Sequence, residues 1–296
     1  MIGQVSVDQL AYATILTFAI GTILLMVLSF LPASRNAARK LWALLGSEAV
    51  ILSAGVVPWV LPAQFTLLCI VLAAGRIGHE SGVVYGMICR RRLSLACATA
   101  AVLGSIAAWF STGELLAWLL AALLGAALLT IRLSEKQSMP WTLANFIVFP
   151  LTPVVAVSHA AAQPQLAPVL LLAFLLVEVF DSFSLLGGRL YGRTPMVPRL
   201  SPNKSWEGFI AGVLALIATI LALVIAFELP IWPMLLGGTV VIAAAVTGDL
   251  LGSLQKRRAG VKDYPAVLKV QGGLLDIMDS WIVAGPCLAV VGILLQ

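Results

Sequence analysis

The closing stretch QGGLLDIMDSWIVAGPCLAVVGILLQ, residues 271–296, decides the fold. A helix rises 1.5 Å per residue, so roughly 20 apolar residues cross the hydrocarbon core of a bilayer. The run 276–296 has that length and reads as a membrane span. Yet Asp276 and Asp279 sit in its first turns. A carboxylate is costly in hydrocarbon, and acids within spans tend to mark paths, relays or ion sites. Spaced three apart, the two acids share one helix face. Gln271, Gly272 and Gly273 stand directly in front of them.

Working outward, the same kind of run recurs at 9–31, 42–61, 64–76, 94–110, 113–131, 141–160, 167–186, 207–228 and 232–252. The chain of 296 residues is 61% hydrophobic and only 10% charged, against about 25% charged for a soluble domain. The sequence therefore predicts an all-α, polytopic transmembrane helical bundle of nine or ten spans, the short run 64–76 being the one in question. The first run lacks a charged leading segment and a small-residue cleavage site, and reads as a retained span. Cys69, Cys89, Cys97 and Cys287 are scattered in or beside apolar runs without metal-ligand spacing, and read as buried apolar side chains.

With ten spans, the basic residues after spans 1, 3, 5, 7 and 9 all fall on one side: Arg35 to Lys40, Arg76 to Arg92, Arg132 and Lys136, Arg189 to Lys204, and Lys256 to Lys269. By the positive-inside rule that side is cytoplasmic, with both termini outside. The net charge of +5 thus reports topology and lipid or phosphate partners, and argues against a nucleic-acid partner. Residues 1–166 form N-terminal spans with few polar residues inside, Glu48 excepted. Residues 167–296 hold most of the membrane-embedded acids and two long cytoplasmic loops, 187–206 and 253–275, so the chemistry is expected there.

Two clusters carry that chemistry. In the first, Glu178 and Asp181 share a helix face, and a loop follows with Gly187, Gly188 and Gly192 among Arg189, Arg193 and Arg199. Glycines let a backbone approach a ligand closely, and arginines offer forked donors to phosphate oxygens. The loop closes on Ser201-Pro202-Asn203-Lys204-Ser205-Trp206-Glu207-Gly208. Asn203 or Ser205 can cap the next helix, and a helix N-terminus beside a lysine suits phosphate. In the second cluster, Asp249 lies near the end of span 9, with Ser253, Lys256 and Arg257 one and two turns on. Spans 9 and 10 run antiparallel, so Asp249 and Asp276 face each other at one depth. Facing carboxylates repel unless a proton or a cation lies between them. Hard oxygen ligands point to Mg²⁺, which binds through one or two carboxylates plus substrate phosphates. Acids neutralised by the neighbouring lysines and arginines, with no metal, are the plainer reading. Acid pair, basic loop and helix-end phosphate site together suggest phosphoryl or nucleotidyl transfer at a membrane surface.

These residues resemble the phosphatidate cytidylyltransferase family, also called CDP-diacylglycerol synthases. That family carries S-x-x-K-R-x(4)-K-D, then H-G-G-x-x-D-R-x-D. Ser253, Lys256, Arg257, Lys262, Asp263, Gly272, Gly273, Asp276 and Asp279 fall in register. Upstream, its D-x-x-A-Y, G-R-x-x-G and S-P-G-K-T-W-E-G are similar to the stretches holding Asp181, Gly188, Arg189, Gly192 and Ser201 to Gly208. The resemblance covers roughly 175–285. Gln271 stands at the family's histidine and Ile277 at its arginine.

The resemblance implies an enzyme of phospholipid biosynthesis that condenses CTP with phosphatidic acid to give CDP-diacylglycerol and pyrophosphate. Carried over by position, Asp249, Asp276, Lys256 and Lys262 are catalytic, and Asp249 and Asp276, with Asp279 one turn deeper, form the metal set for Mg²⁺, with room for a second cation. Substrate binding falls to Asp181, Arg189, Ser201, Lys204, Ser205, Arg257, Asp263, Gln271, Gly272 and Gly273. A bacterial inner membrane with the site on its cytoplasmic face is expected, and a homodimer is allowed. Other readings stay open. Gln271 and Ile277 replace groups that can carry positive charge, which leaves room for another lipid phosphate acceptor or for an inactive relative. Glu48, Glu178 and Asp181 can also line the path of a lipid or ion transporter.

Overall fold

The computed structural model describes residues 5–30, 35–111, 139–267 and 272–295. The run 113–131 and Gln271 lie outside them. The helices are α1 (Val7–Phe30), α2 (Arg35–Val60), α3 (Ala63–Cys89), α4 (Ser94–Trp109), α5 (Met139–Phe146), α6 (Thr152–Ala161), α7 (Ala167–Tyr191), α8 (Trp206–Phe227), α9 (Ile231–Arg258) and α10 (Leu274–Leu294). Among the described residues, seven helical stretches are long and apolar enough to cross a membrane, α5 and α6 counting together as one. The protein is an integral membrane protein of helical-bundle architecture.

Three boundaries differ from the sequence reading. The third run does not stop at residue 76: α3 continues through Arg76, His79 and Glu80 to Cys89. The charges that suggested a loop are accommodated, because Arg76 Nε donates to Glu80 Oε1 at 2.6 Å one turn away. His79 is an exposed helical residue. The expected loop 187–206 is partly ordered: α7 runs to Tyr191, and β1 (Pro195–Val197) pairs antiparallel with β2 (Ser201–Ser205), Val197 opposite Ser201. The expected loop 253–275 starts later, since α9 runs to Arg258. Its last turn holds Lys256, Arg257 and Arg258, where the helix dipole favours cations.

α7 lies at the centre. Every residue from Val169 to Val177 is buried, as expected of a helix that is apolar all round. α1, α2, α8 and α10 pack on it, α4 packs on α3, and α10 on α9. α1 and α8 expose Ile15, Leu16, Ile23, Ile210, Leu214 and Ile225, the surface lipid covers. Between α5 and α6, Pro150 interrupts the helix, and Phe149 leaves helical geometry with φ −146° and ψ 123°. Its carbonyl accepts instead from Tyr85 Oη at 2.9 Å and from Gln255 Nε2 at 3.0 Å. His159 is buried, with ring Nδ1 beside Ser111 Oγ at 3.0 Å and the Ala108 carbonyl at 3.1 Å, a hydrogen-bonded structural role.

Without a hydrophobic drive between helices in lipid, close approach needs small residues four apart. Three such pairs tie three helix contacts. Gly78 and Gly82 of α3 meet the α4 backbone at Cys97 and Ser94, and Gly208 and Gly212 of α8 meet Ser184 and Phe180 of α7. Gly248 and Gly252 of α9 meet the backbone and side chain of Asp279 on α10. A Cβ at Gly248 would overlap the Asp279 carbonyl. Gly248→Val should therefore cost about 1–3 kcal/mol of stability by overpacking, read from unfolding in detergent. A neutral outcome would show that α9 and α10 do not depend on this contact.

Candidate functional site

The α9–α10 contact brings the acids of both helices to one place. A cavity of about 390 Å³ opens where the C-terminal ends of α7 and α9 meet the N-terminal ends of α8 and α10. α7 lends it Asp181 and Ser184, β2 lends Asn203, Lys204 and Ser205, α9 lends Asp249, and α10 lends Asp276, Ile277, Asp279 and Ser280. A smaller neighbouring space, lined by Glu48, Glu178, Asp181, Asp276 and Ile277, leads toward α2.

Local sequence sets these positions. Ser205 Oγ accepts from the Gly208 amide at 3.1 Å, capping α8 as its residue type predicts. Glu207 accepts from the amides of Arg193 at 3.1 Å and Thr194 at 3.2 Å, which folds the hairpin back on the start of α8. Lys204 is thereby aimed at α9. Its Nζ lies 2.5 Å from Asp249 Oδ2, an ion pair angled so that this oxygen has no hydrogen-bond partner. Burial alone would lower the Lys204 pKa, but Asp249 first and Asp181 next outweigh it and hold the ammonium above the ordinary lysine value. Asp181 and Ser280 line the same cavity. Asp279 is only 4% exposed, and its nearest polar partner, Ser280 Oγ, is 3.5 Å away.

Asp276 is held differently. It is the third residue of α10, and its Oδ2 accepts from the Gly273 amide at 2.9 Å and the Tyr264 amide at 2.8 Å. Its Oδ1 takes the Lys256 ammonium at 2.5 Å, and that ammonium lies 5.2 Å from the centre of the Tyr264 ring. The two glycines serve these carboxylates. Gly272 has φ +90°, which favours glycine, and a Cβ there would strike Asp276 Oδ2. A Cβ on Gly273 would come within 2.6 Å of Glu80 Oε2 and 2.7 Å of Tyr264 Cβ.

Of the residues singled out in the sequence, Asp181, Lys204, Ser205, Asp249, Asp276 and Asp279 line the cavity, and Lys256 reaches it through Asp276. Arg189, Lys262 and Asp263 are exposed and do not line it, nor does Ser201. Arg257 bonds the carbonyls of Leu200 at 3.3 Å and Val261 at 3.5 Å, stitching the hairpin and the next loop to α9. Asn203 and Ser184 line the cavity in addition. Glu80, which sequence reasoning passed over, supports the cavity from α3. Its signal was an acid inside GRIGHESGVVYG (75–86), visible only once α3 is read through to Cys89.

Four carboxylates, Asp181, Asp249, Asp276 and Asp279, thus line one cavity with a single lysine, Lys204, and of the four Asp276 is paired with Lys256. Like charges at this spacing need a cation or a proton between them. The oxygen donors fit a hard divalent ion held by one or two carboxylates, with its other positions left to a ligand. Among the described residues there is no ready cage of three or more His, Cys, Asp or Glu ligands.

A helical membrane protein with a polar, acid-lined cavity at the junction of four helices is the class that fold and site define. The chain belongs to the cytidylyltransferase family, whose sequence model matches residues 9–295. It is 37% identical over 121 residues to phosphatidate cytidylyltransferase 5, chloroplastic, of Arabidopsis thaliana, covering 39% of this chain and 29% of the relative. It is 36% identical over 124 residues to the phosphatidate cytidylyltransferase of Staphylococcus haemolyticus, covering 41% and 48%. The Rickettsia typhi phosphatidate cytidylyltransferase is 27% identical over 187 residues, covering 60% and 80%. The chain thus spans less than half the length of the first two relatives.

Proposed function

We propose that this protein transfers the cytidylyl group of CTP to phosphatidic acid, forming CDP-diacylglycerol and pyrophosphate. The observation that carries the reading is the cavity itself: family-matched acids and Lys204 converge where helix ends meet. A phosphate oxygen of the lipid attacks the α-phosphorus of CTP. The bond from that phosphorus to the bridging oxygen breaks, and pyrophosphate leaves with the electron pair.

Such chemistry is mostly positioning and charge neutralisation. Lys204 and Lys256 would hold phosphate oxygens, Asn203 and Ser205 would offer further hydrogen bonds, and one or two of the acids Asp249, Asp276 and Asp279 would hold Mg²⁺. The bound ion would supply charge neutralisation on the transferring group and the leaving pyrophosphate. Lys262 and Asp263, in the exposed loop before Tyr264, meet the triphosphate as it enters. The basic loops face the cytoplasm, where CTP is.

Purified protein given Mg²⁺, CTP and phosphatidic acid should release pyrophosphate, and chelation should stop it. If wild type releases none with phosphatidic acid or any other lipid phosphate, the reading fails. Lys204→Met should lower the rate about 10- to 100-fold, as loss of a charge-assisted contact of about 1.5–3 kcal/mol implies. An unchanged rate would remove Lys204 from the site.

A further inference from the structure

We propose that Glu80, with Arg76, is a positioning residue for the acid-lined cavity, holding the mouth of α10 from across the bundle; this rests on the reading of that cavity as a cation-dependent transfer site. A helix leaves its first amides without partners inside the helix. α10 starts after Gly273, which has no side chain to cap them. The caps come from elsewhere. Asp276 takes the Gly273 amide, while Glu80, on α3, takes the amides of Leu274 at Oε1, 2.9 Å, and Leu275 at Oε2, 2.8 Å.

Glu80 is 0% exposed. An unpaired carboxylate so placed is costly, and it persists only where charge-assisted hydrogen bonds satisfy it. Both its oxygens are satisfied, by the two amides and by Arg76 Nε at 2.6 Å. The positive end of the α10 dipole adds to this. Arg76 also reaches forward: its Nη2 donates to the Pro265 carbonyl at 2.6 Å. Tyr264, next to Pro265, gives its amide to Asp276. One pair on α3 therefore grips both the chain that enters α10 and the helix turn that carries Asp276 and aims Asp279. Gly273 is the residue that lets the carboxylate approach.

The test is Glu80→Gln, which keeps the shape and one acceptor but sets an amide donor against a backbone amide. Hydrogen exchange at Leu274 and Leu275 should quicken by at least about 10-fold, as expected where an amide loses its acceptor. The Mg²⁺ concentration for half-maximal pyrophosphate release should rise about 10- to 100-fold, the usual effect of removing a group that orients a ligand. The Mg²⁺-induced rise in melting temperature, measured without turnover, should shrink in parallel. Unchanged exchange at these amides overturns the proposal. So does an unchanged Mg²⁺ requirement in a variant that merely melts earlier, since that marks a purely structural role. Absence of turnover in wild type defeats the cytidylyltransferase reading, while exchange and Mg²⁺-dependent melting still decide on Glu80. Should Glu80→Gln not fold, Arg76→Gln is read by the same measurements with the same expected directions.

Discussion

Replacing Asp249 by asparagine should lower pyrophosphate release about 100- to 1,000-fold, the range for removing one preorganised electrostatic group from an active site. The substitution keeps shape and removes charge. Asp249 Oδ2 faces Lys204 Nζ at 2.5 Å and makes no hydrogen bond, so no backbone donor depends on it. The place of α9 is fixed by Gly248 and Gly252 against Asp279, not by the Asp249 carboxylate. The ion pair with Lys204 is partly open to solvent, and such pairs contribute about 0–1 kcal/mol to stability. A nearly intact melting temperature with a collapsed rate is therefore the expected signature. Lys204 would still face Asp181 and Asp279, so it would stay charged. A variant with wild-type rate would show that Asp249 holds neither the cation nor Lys204 in a catalytic pose.

Much of the fold was legible because membrane spans are written locally. The run 276–296 became α10 at Leu274–Leu294, the Ser205 cap followed from residue type, and Asp249 and Asp276, brought together by antiparallel order, line one cavity. What sequence left hidden was non-local. Glu80 bonds amides about 195 positions away, and nothing in its own neighbourhood announces that partner. It also lies beyond residue 76, where the apolar run that marked the third span ends. Gly272 and Gly273, ahead of α10, were assigned to substrate binding, whereas in the structure they make room for the carboxylates of Asp276 and Glu80. Motif register is also a poor guide to distance. Arg189, Lys262 and Asp263 match the family pattern but are exposed, Arg189 on the last turn of α7 and Lys262 and Asp263 in the loop after α9, because where a side chain points depends on the helix end or loop that holds it. The small pairs Gly78/Gly82, Gly208/Gly212 and Gly248/Gly252 were available in the sequence, and their four-residue spacing is a signal for helix contacts.

Asp276→Asn should be the more damaging change for the molecule as a whole, since one side chain joins the fold and the site. In the native protein Asp276 Oδ1 meets Lys256 Nζ at 2.5 Å, and both side chains are largely buried, at 11% exposure for Lys256 and 8% for Asp276. Oδ2 meanwhile collects the Tyr264 and Gly273 amides. Asparagine offers one acceptor for these two sides. If its oxygen faces the amides, its NH₂ confronts the ammonium; turned round, it confronts two N–H groups. Breaking a buried ion pair from one side typically costs about 3–5 kcal/mol, because the remaining charge is left uncompensated. The rate should fall with it, to the level of Asp249→Asn or below. The two losses separate in a double-mutant cycle with Lys256→Met. Removing the ammonium relieves the stranded charge, so Asp276→Asn/Lys256→Met should be more stable than the sum of the single variants predicts. Its pyrophosphate release should stay near zero, because both the carboxylate and a phosphate-binding ammonium are gone. Additive stability losses would mean that the pair does not act as a unit, and recovery of activity in the double variant would mean that Asp276 serves only to neutralise Lys256.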